Sequence, residues 1–345
     1  QFEYCGAFSE GLVRAKDVRS GRYGYIDKTG TFVIEPQFEY ADDFSEGLAI
    51  VRIGGRYGYI DQPGQVVIKP QFEWEPQRFS EGLAAVAIFD EKSGKTQWPR
   101  WGYINKAGQM AIKPQYTIAE RFSEGLARVA VEIHGRSGYI DKTGEFVIEP
   151  QFDAVEAGVF SDGLALVRIV GRGGYIDKAG AFVIESERFE QSYGISSFSE
   201  GLAPFEINGK YGYIDRTGRV AIEPQFHRAD KFSEGLAPVL KQWEEGKWGY
   251  IDKTGQLVIQ PRFTKLPGSF SEGLAPVRVD QFRRVDRHEW PFGHWGYIDK
   301  TGEFVIPPQF NGAQSFSEGL AAVGFPLSGE RGEQTEYGYI DKTGR

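Results

Sequence analysis

Apolar residues along this chain recur in short runs with a period of two, broken by turn residues. In "KWGYIDKTGQLVIQPRF", residues 247–263, Trp and Tyr fall on one face of a first run and Gly and Ile on the other. After the turn, "LVI" places Leu and Ile on one face and Val on the other. A third run, typified by "LAPVRV", precedes both. The alternation predicts a three-stranded antiparallel meander. A sheet with one wet face would alternate apolar with polar residues. Here both faces are apolar, so each meander is expected to be covered on both sides by its neighbours.

The same phrase returns nine times. The glycine of Gly-Tyr-Ile falls at Gly24, Gly58, Gly102, Gly138, Gly174, Gly212, Gly249, Gly296 and Gly338. A second marker, Phe-Ser-Glu-Gly-Leu, begins at Phe8, Phe44, Phe79, Phe122, Phe160, Phe198, Phe232, Phe270 and Phe316, with Asp162 for Glu in the fifth copy. Such periodicity signals a repeat architecture rather than several unrelated domains. The turn "YIDKTG" carries Asp in every copy except one, which has Asn105. Asparagine keeps the acceptor and loses the charge, so the position reads as an Asx cap on a hairpin turn. The glycine closing the turn never varies, as a positive φ requires. The mid-strand glycine marks a bulge or a close approach. The residue before it is aromatic except at Ser137 and Gly173, which suggests a ring from one unit lying over the glycine of another. By that reading Trp248 is a core aromatic. Proline in "EPQF" is expected to end the third strand. The acid of Ser-Glu-Gly is expected to accept backbone N–H bonds or pair with a nearby cation.

Composition changes this picture little. The chain has 345 residues, 26% charged and 40% hydrophobic, with a net charge of −8. That balance argues against nucleic acid as a partner, which calls for a basic footprint. One cysteine, Cys5, permits no intrachain disulfide. No apolar run is long enough to insert as a membrane helix. The chain starts at Gln1 without methionine, so it is expected to be a fragment or a processed product, with any targeting segment outside it and its localisation unread. His134, His227, His288 and His294 show no metal-ligand spacing, and no phosphate loop or nucleophile elbow occurs. No cofactor, metal or catalytic residue is expected, and an enzyme is not.

"KWGYIDKTG", "FVIEPQF" and "FSEGLA" resemble the WG repeat, also called the KWG repeat, found in many bacterial proteins. The likeness spans nearly the whole chain. "RSGYI", "RGGYI" and "ESERF" depart from it locally. The resemblance implies an interaction module without shared catalytic residues. The expected architecture is all-β: one domain over residues 1–345, nine meanders with the last incomplete, stacked as an open superhelical array. The alternative is a closed β-propeller. The open form is expected because propellers commonly have four to eight blades, and because neither terminus supplies a complete third strand to latch a ring.

Length variation points to function. From the Gly-Tyr-Ile glycine to the next Ser-Glu-Gly glycine the spacing runs only from 23 residues (Gly24 to Gly47) to 27 (Gly174 to Gly201). From the Ser-Glu-Gly glycine onward it runs from 11 (Gly47 to Gly58) to 23 (Gly273 to Gly296). The hairpin between strands one and two therefore absorbs the insertions, at 89–100, 280–294 and 326–336. Two of these carry Trp-Pro and cations, residue types that suit binding hot spots. The candidate binding residues are Trp98, Arg100, Arg283, Arg284, Arg287 and Trp290. The function expected is a non-catalytic scaffold binding another protein through this edge. A carbohydrate or cell-envelope ligand, stacked on exposed Trp and Tyr, is the alternative.

Overall fold

The computed structural model describes residues 2–89, 98–132, 135–153, 157–169, 172–186, 196–241, 246–285, 288–326 and 335–345. Among these residues there is strand and turn and no helix. The second unit shows the plan. A short strand, Tyr40–Ala41, pairs with Leu48–Ile53, which pairs with Arg56–Asp61, which pairs with Val66–Phe72. All pairings are antiparallel.

The mid-strand glycine belongs to its own sheet, not to an aromatic ring of another unit. In the first unit Tyr23 pairs with Phe38 and Tyr25 with Ile34, so the third strand carries two extra residues across from Gly24. That bulge brings the third strand's backbone over the glycine. A Cβ added at Gly24 would lie 2.8 Å from the Pro36 nitrogen, and closer still to the Ile34 carbonyl oxygen. Any larger residue would push the outer strand away. Proline does not end the strand as expected. It sits inside the bulge, where no ladder N–H is needed, and the strand runs on to Phe38.

The Asp turn is as expected. Asp27 Oδ1 accepts from the Thr29 and Thr31 N–H groups at 2.8 and 3.1 Å. Asn105 Oδ1 makes the equivalent bonds to Ala107 and Gln109. The Ser-Glu-Gly-Leu corner is a two-residue hairpin loop: Ser9 and Leu12 exchange both backbone bonds, and Glu10 and Gly11 have φ of 54° and 83°. Two positive φ values make this a type I′ turn. Glutamate is a poor choice there on local grounds. Its reason lies in the next unit, where the Gly47 N–H donates to Glu10.

Each unit meets the next through one repeated set of contacts. Tyr59 stands with its ring 5.0 Å from that of Phe79, and its hydroxyl donates to the Gln77 carbonyl at 2.8 Å. Burial pushes this phenol far above its usual pKa. Ile68 and Phe72 lie against Ala84, Val86 and Ile104 of the third unit. Gly108 packs on Ile68, and Ser45 Oγ donates to the Phe79 carbonyl at 2.8 Å.

These contacts also join the ninth unit to the first. Tyr339 stacks on Phe8 at 4.9 Å and donates to the Gly6 carbonyl at 2.8 Å. Ser317 Oγ donates to the Phe8 carbonyl at 2.8 Å, and the Gly11 N–H to Glu318 at 3.0 Å. Phe2 pairs with Tyr337, as Phe72 does with Tyr57. The all-β array of nine meanders is therefore as expected, but of the two arrangements weighed it takes the closed one. The open superhelix is corrected by direct packing of unit nine on unit one. The latch argument failed because Phe2 holds the place that Phe38 and Phe72 hold elsewhere. The N-terminal segment supplies the tail of the ninth unit's third strand.

Around the ring the corner acids form a circular ladder. Lys106 reaches Glu46 at 3.2 Å, Lys142 reaches Glu81 at 3.0 Å and Arg216 reaches Asp162 at 2.8 Å. Lys28 of the first unit reaches Glu318 of the ninth at 3.1 Å. At Glu46 burial raises the carboxyl pKa, but the Lys106 ammonium and the Gly82 N–H outweigh it and hold the group below its ordinary value of 4.5. At Glu272 the Lys342 hydrogen bond is the largest influence and acts in the same direction.

Two predictions follow from these contacts. Tyr59→Ala is expected to cost about 3–5 kcal/mol in denaturant unfolding, as for a fully buried aromatic. Tyr339→Ala, at the one interface where this ring is partly exposed, is expected to cost less than half of that. Depressed carboxylate pKa values stabilise the fold above their unfolded value, and that contribution is lost as pH falls through the folded values. The denaturation midpoint is therefore expected to drop once pH falls below 4.5. Lys106→Met, which removes one partly exposed rung, is expected to cost less than about 1 kcal/mol at neutral pH. A midpoint unchanged on acidification would count against the ladder.

Candidate functional site: the hairpin end of the ring

The strand order gives the ring two unlike ends. First strands run away from the Ser-Glu-Gly corners and second strands return to the Asp turns, so corners and turns share one end. Their cross-bonds confirm it: Lys106 Nζ donates to the Glu46 carbonyl at 2.8 Å, and Lys253 Nζ to that of Glu200 at 3.0 Å. The other end carries the hairpins between strands one and two, and the links leading to the next unit. All the length variation lies at that end.

Large apolar side chains are exposed there. Trp98 is 60% exposed and Trp74 46%. Phe89, Val131, Leu266 and Phe325 belong to the same end and are also exposed. Val18, Ile53 and Tyr337 are exposed at this end too, whereas the other exposed large apolar groups among the described residues, such as Val33, Val147 and Val305, sit near the start of third strands on the outer perimeter. None lies in a corner.

Two patches of the hairpin end have distinct geometry. In the first, Tyr23, Tyr40 and Tyr57 form a column with ring spacings of 6.3 and 5.9 Å. The Arg52 guanidinium lies 5.5 Å from the Tyr57 ring, within cation–π range. The Tyr40 hydroxyl donates to Glu75 at 2.6 Å, one residue from Trp74. In the second, Arg228, Leu240, Trp248 and Leu266 line a groove of about 640 Å³ between units seven and eight. Trp248 is half-buried there against the inter-unit core. It is thus not the fully buried aromatic the sequence suggested, because the position before the glycine faces the hairpin end.

Of the candidate residues, Trp98 is exposed as a binding group would be. Arg100 is engaged: its Nη1 donates to the Gln115 and Val131 carbonyls, clipping unit three to unit four. The insertion at 280–294 extends the strands to Ala275–Val285 and His288–Ile298. Arg283 lies opposite Trp290 in the register, and Arg284 opposite Glu289. Arg287 lies outside the described residues, as do 90–97 and 327–334. Trp98 and Trp290 belong to units three and eight, so they sit in separate patches. Sequence reading missed Trp74 and Tyr40. The available signal was a tryptophan in a link, where no marker position calls for one.

A second cavity, of about 660 Å³, touches residues of units one to five, which only the inner wall of a ring brings together. Its charges are largely matched. Asp42 is held by Arg14 at 2.9 Å and by Arg78 at 2.6 Å, and Arg78 also reaches Asp43 at 2.9 Å. Among the described residues no group of three or more His, Cys, Asp or Glu could hold a metal ion. No helix among them is long and apolar enough to cross a membrane.

Comparison with known proteins agrees with this architecture. A crystal structure of a eukaryotic initiation factor superposes with a TM-score of 0.63 at 12% identity, covering 98% of this chain and 94% of that one. Hsv2p of Kluyveromyces lactis (7% identity, 76% and 99% covered, TM-score 0.42) and apo AztD of Citrobacter koseri (11%, 73% and 84%, TM-score 0.38) are only loosely alike. No curated protein matches the chain. The family model described as "WG containing repeat" matches residues 23–57, 57–90, 101–132, 138–171, 174–211, 211–242, 248–281 and 295–324. With its eight matched segments and the same corner and turn in every unit, the chain belongs to the WG-repeat family.

Proposed function

We propose that this protein is a non-catalytic scaffold and that its hairpin end docks another protein. The observation that carries the reading is the unequal treatment of the two ends. The corner end repeats one polar, cross-bonded pattern, whereas the hairpin end varies in length and exposes Trp74 and Trp98. Tryptophan, tyrosine and arginine are the residues that concentrate binding energy at protein interfaces. An aromatic side chain left in water beside a cation gains most when a partner desolvates both. A net charge of −8 favours a protein over a nucleic acid. A glycan is the second reading, because the exposed indoles of Trp74 and Trp98 offer faces on which a sugar ring can stack.

The test compares the parent chain with Trp74→Ala/Trp98→Ala in affinity capture and on a glycan array. Trp98→Ala is expected to stay within about 0.5 kcal/mol of the parent, since that side chain is mostly in water, and Trp74→Ala, about half covered, within about 1–2 kcal/mol. Trp248→Ala is expected to cost about 1–2 kcal/mol, below the roughly 3–5 of a buried aromatic. Captured proteins should be lost with the double variant and kept by Lys106→Met at the opposite end. Capture unchanged by the double variant would reject the hairpin end, and selective glycan binding without protein capture would favour the second reading.

A further inference from the structure

The ladder of corner acids has one rung without a cation. In eight of the nine corners the acid meets a lysine or arginine from the next unit's turn, at 2.8 to 3.2 Å. At Glu10 that turn residue is Gln62. Lys28, Lys106 and Lys253 also donate to the main-chain carbonyl of the acid they meet, at 2.8, 2.8 and 3.0 Å. Gln62 Nε2 keeps this second bond, to the Glu10 carbonyl at 3.1 Å, but comes no closer than 3.4 Å to the carboxylate. The Gly47 N–H holds Glu10 Oε2 at 2.9 Å, and among the described residues Oε1 accepts no hydrogen bond. The carboxylate therefore keeps its seat in the ladder and lacks its counter-charge.

A cavity of about 380 Å³ opens at this rung, lined by Glu10, Gly11, Leu12, Val33, Gln62 and Pro63. Leu12 is buried and Val33 is 50% exposed, so apolar walls stand beside the uncompensated carboxylate. The turn deepens the negative potential. Pro63 stands where Thr29 gives Asp27 both an N–H and a hydroxyl, and it can give Asp61 neither; Asp61 Oδ1 accepts from the Gln65 N–H at 2.7 Å.

We propose that this cavity receives the side chain of a lysine from another polypeptide. The other rungs show how it sits. The ammonium donates to Glu10 Oε1 as Lys106 does to Glu46, and the aliphatic stem lies along Leu12, Val33 and Pro63. The rungs also show the selectivity. Each of the seven paired glutamates takes a lysine, whereas the one aspartate, Asp162, is a methylene shorter and takes the longer Arg216. Glu10 therefore suits lysine better than arginine. One partly exposed ion pair is worth little by itself, so the lysine has to be carried by a chain that covers more of the surface around it. The chain's net charge of −8 favours such a basic partner. This site lies at the corner end and does not depend on the function proposed for the hairpin end.

The experiment titrates the isotope-labelled 345-residue chain with Nα-acetyl-lysine N-methylamide and follows amide shifts by NMR. A saturable shift is expected at Gly47, whose N–H donates to Glu10, and none at Gly82, whose acceptor Glu46 already holds Lys106. The norleucine analogue, with the stem but no ammonium, should give no saturable shift, and the arginine analogue should bind more weakly. Glu10→Gln keeps an acceptor for Gly47 and drops the charge. Gln62→Lys supplies the rung with its own cation. Each should weaken the lysine probe by at least about fivefold. Lys106→Gln, which copies the Gln62 rung, should add a saturable shift at Gly82. No saturable shift at Gly47, an equal shift with the norleucine analogue, or undiminished binding by Gln62→Lys would each overturn the proposal. Tighter binding of butylamine than of the lysine probe would assign the cavity to a free amine and overturn the partner.

Discussion

A tyrosine hydroxyl buried between two sheets needs an acceptor, and in this fold the acceptor always belongs to the next unit. Tyr25 donates to Asp42, Tyr103 to Glu120 and Tyr213 to Asp230, each through a main-chain carbonyl at 2.7 Å. The ring of the same tyrosine lies edge-on or tilted against the next unit's phenylalanine, 4.8 to 5.0 Å away. One side chain thus sets distance through its ring and angle through its hydroxyl. An unmade hydrogen bond at this depth would cost more than a made one gains, so the relative orientation of two units has little freedom. Repeating that orientation nine times returns the ninth unit to the first.

Closure divides labour between the two ends of the ring. At the corner end, each acid is fixed by the next corner's N–H and by the side chain of the next unit's turn, a cation as Lys106 is for Glu46 or, at Glu10, the Gln62 amide. The exposed ion pairs add little individually; their effect is to seat each Asp turn on the preceding corner. At the hairpin end no one set of contacts is repeated between successive units among the described residues, and the chain is free to lengthen. The insertion at 280–294 adds residues to two strands without disturbing Tyr297, whose hydroxyl still reaches the Gln314 carbonyl at 2.7 Å. Variation is tolerated where the contacts that build the ring are absent.

Much of this was legible in the sequence because the copies act as controls for one another. Asn105 among eight aspartates showed that the turn needs an acceptor, and the structure gives it the same two N–H bonds. The invariant corner acid read as a partner for N–H groups and cations, as it is. Two features were not legible. The bulge of Glu35 and Pro36 over Gly24 depends on a register in which two strand residues face four, and periodicity alone does not reveal that. Closure depends on the small rotation between units, which follows from how Tyr, Phe and Ile wedge together rather than from which residues are present. The candidate residues were half legible: insertion length pointed to the hairpin end, where Trp98 is exposed, but Trp74 and Tyr40 lie in links of ordinary length, and Arg100 is spent on main-chain carbonyls.

The same logic sets where the ring is weakest. In a linear array each unit depends on its nearest neighbours and the ends fray first. A closed ring has no ends, so fraying must begin at the interface with the least buried apolar contact. Eight interfaces hold a third-strand isoleucine from one unit against the glycine turn and first strand of the next, as Ile34 meets Gly64, Ala49 and Val51 and Ile184 meets Gly218, Ala203 and Phe205. Between units nine and one the buried cluster shrinks to Phe8, Val13, Ala15 and Ile26, with Tyr339 and Leu320 only partly covered. Low-stability regions open first and also supply binding surfaces. The repeated tyrosine contact persists at this junction, with Tyr339 against Phe8 and bonded to the Gly6 carbonyl, so the junction is thin without ceasing to close the ring.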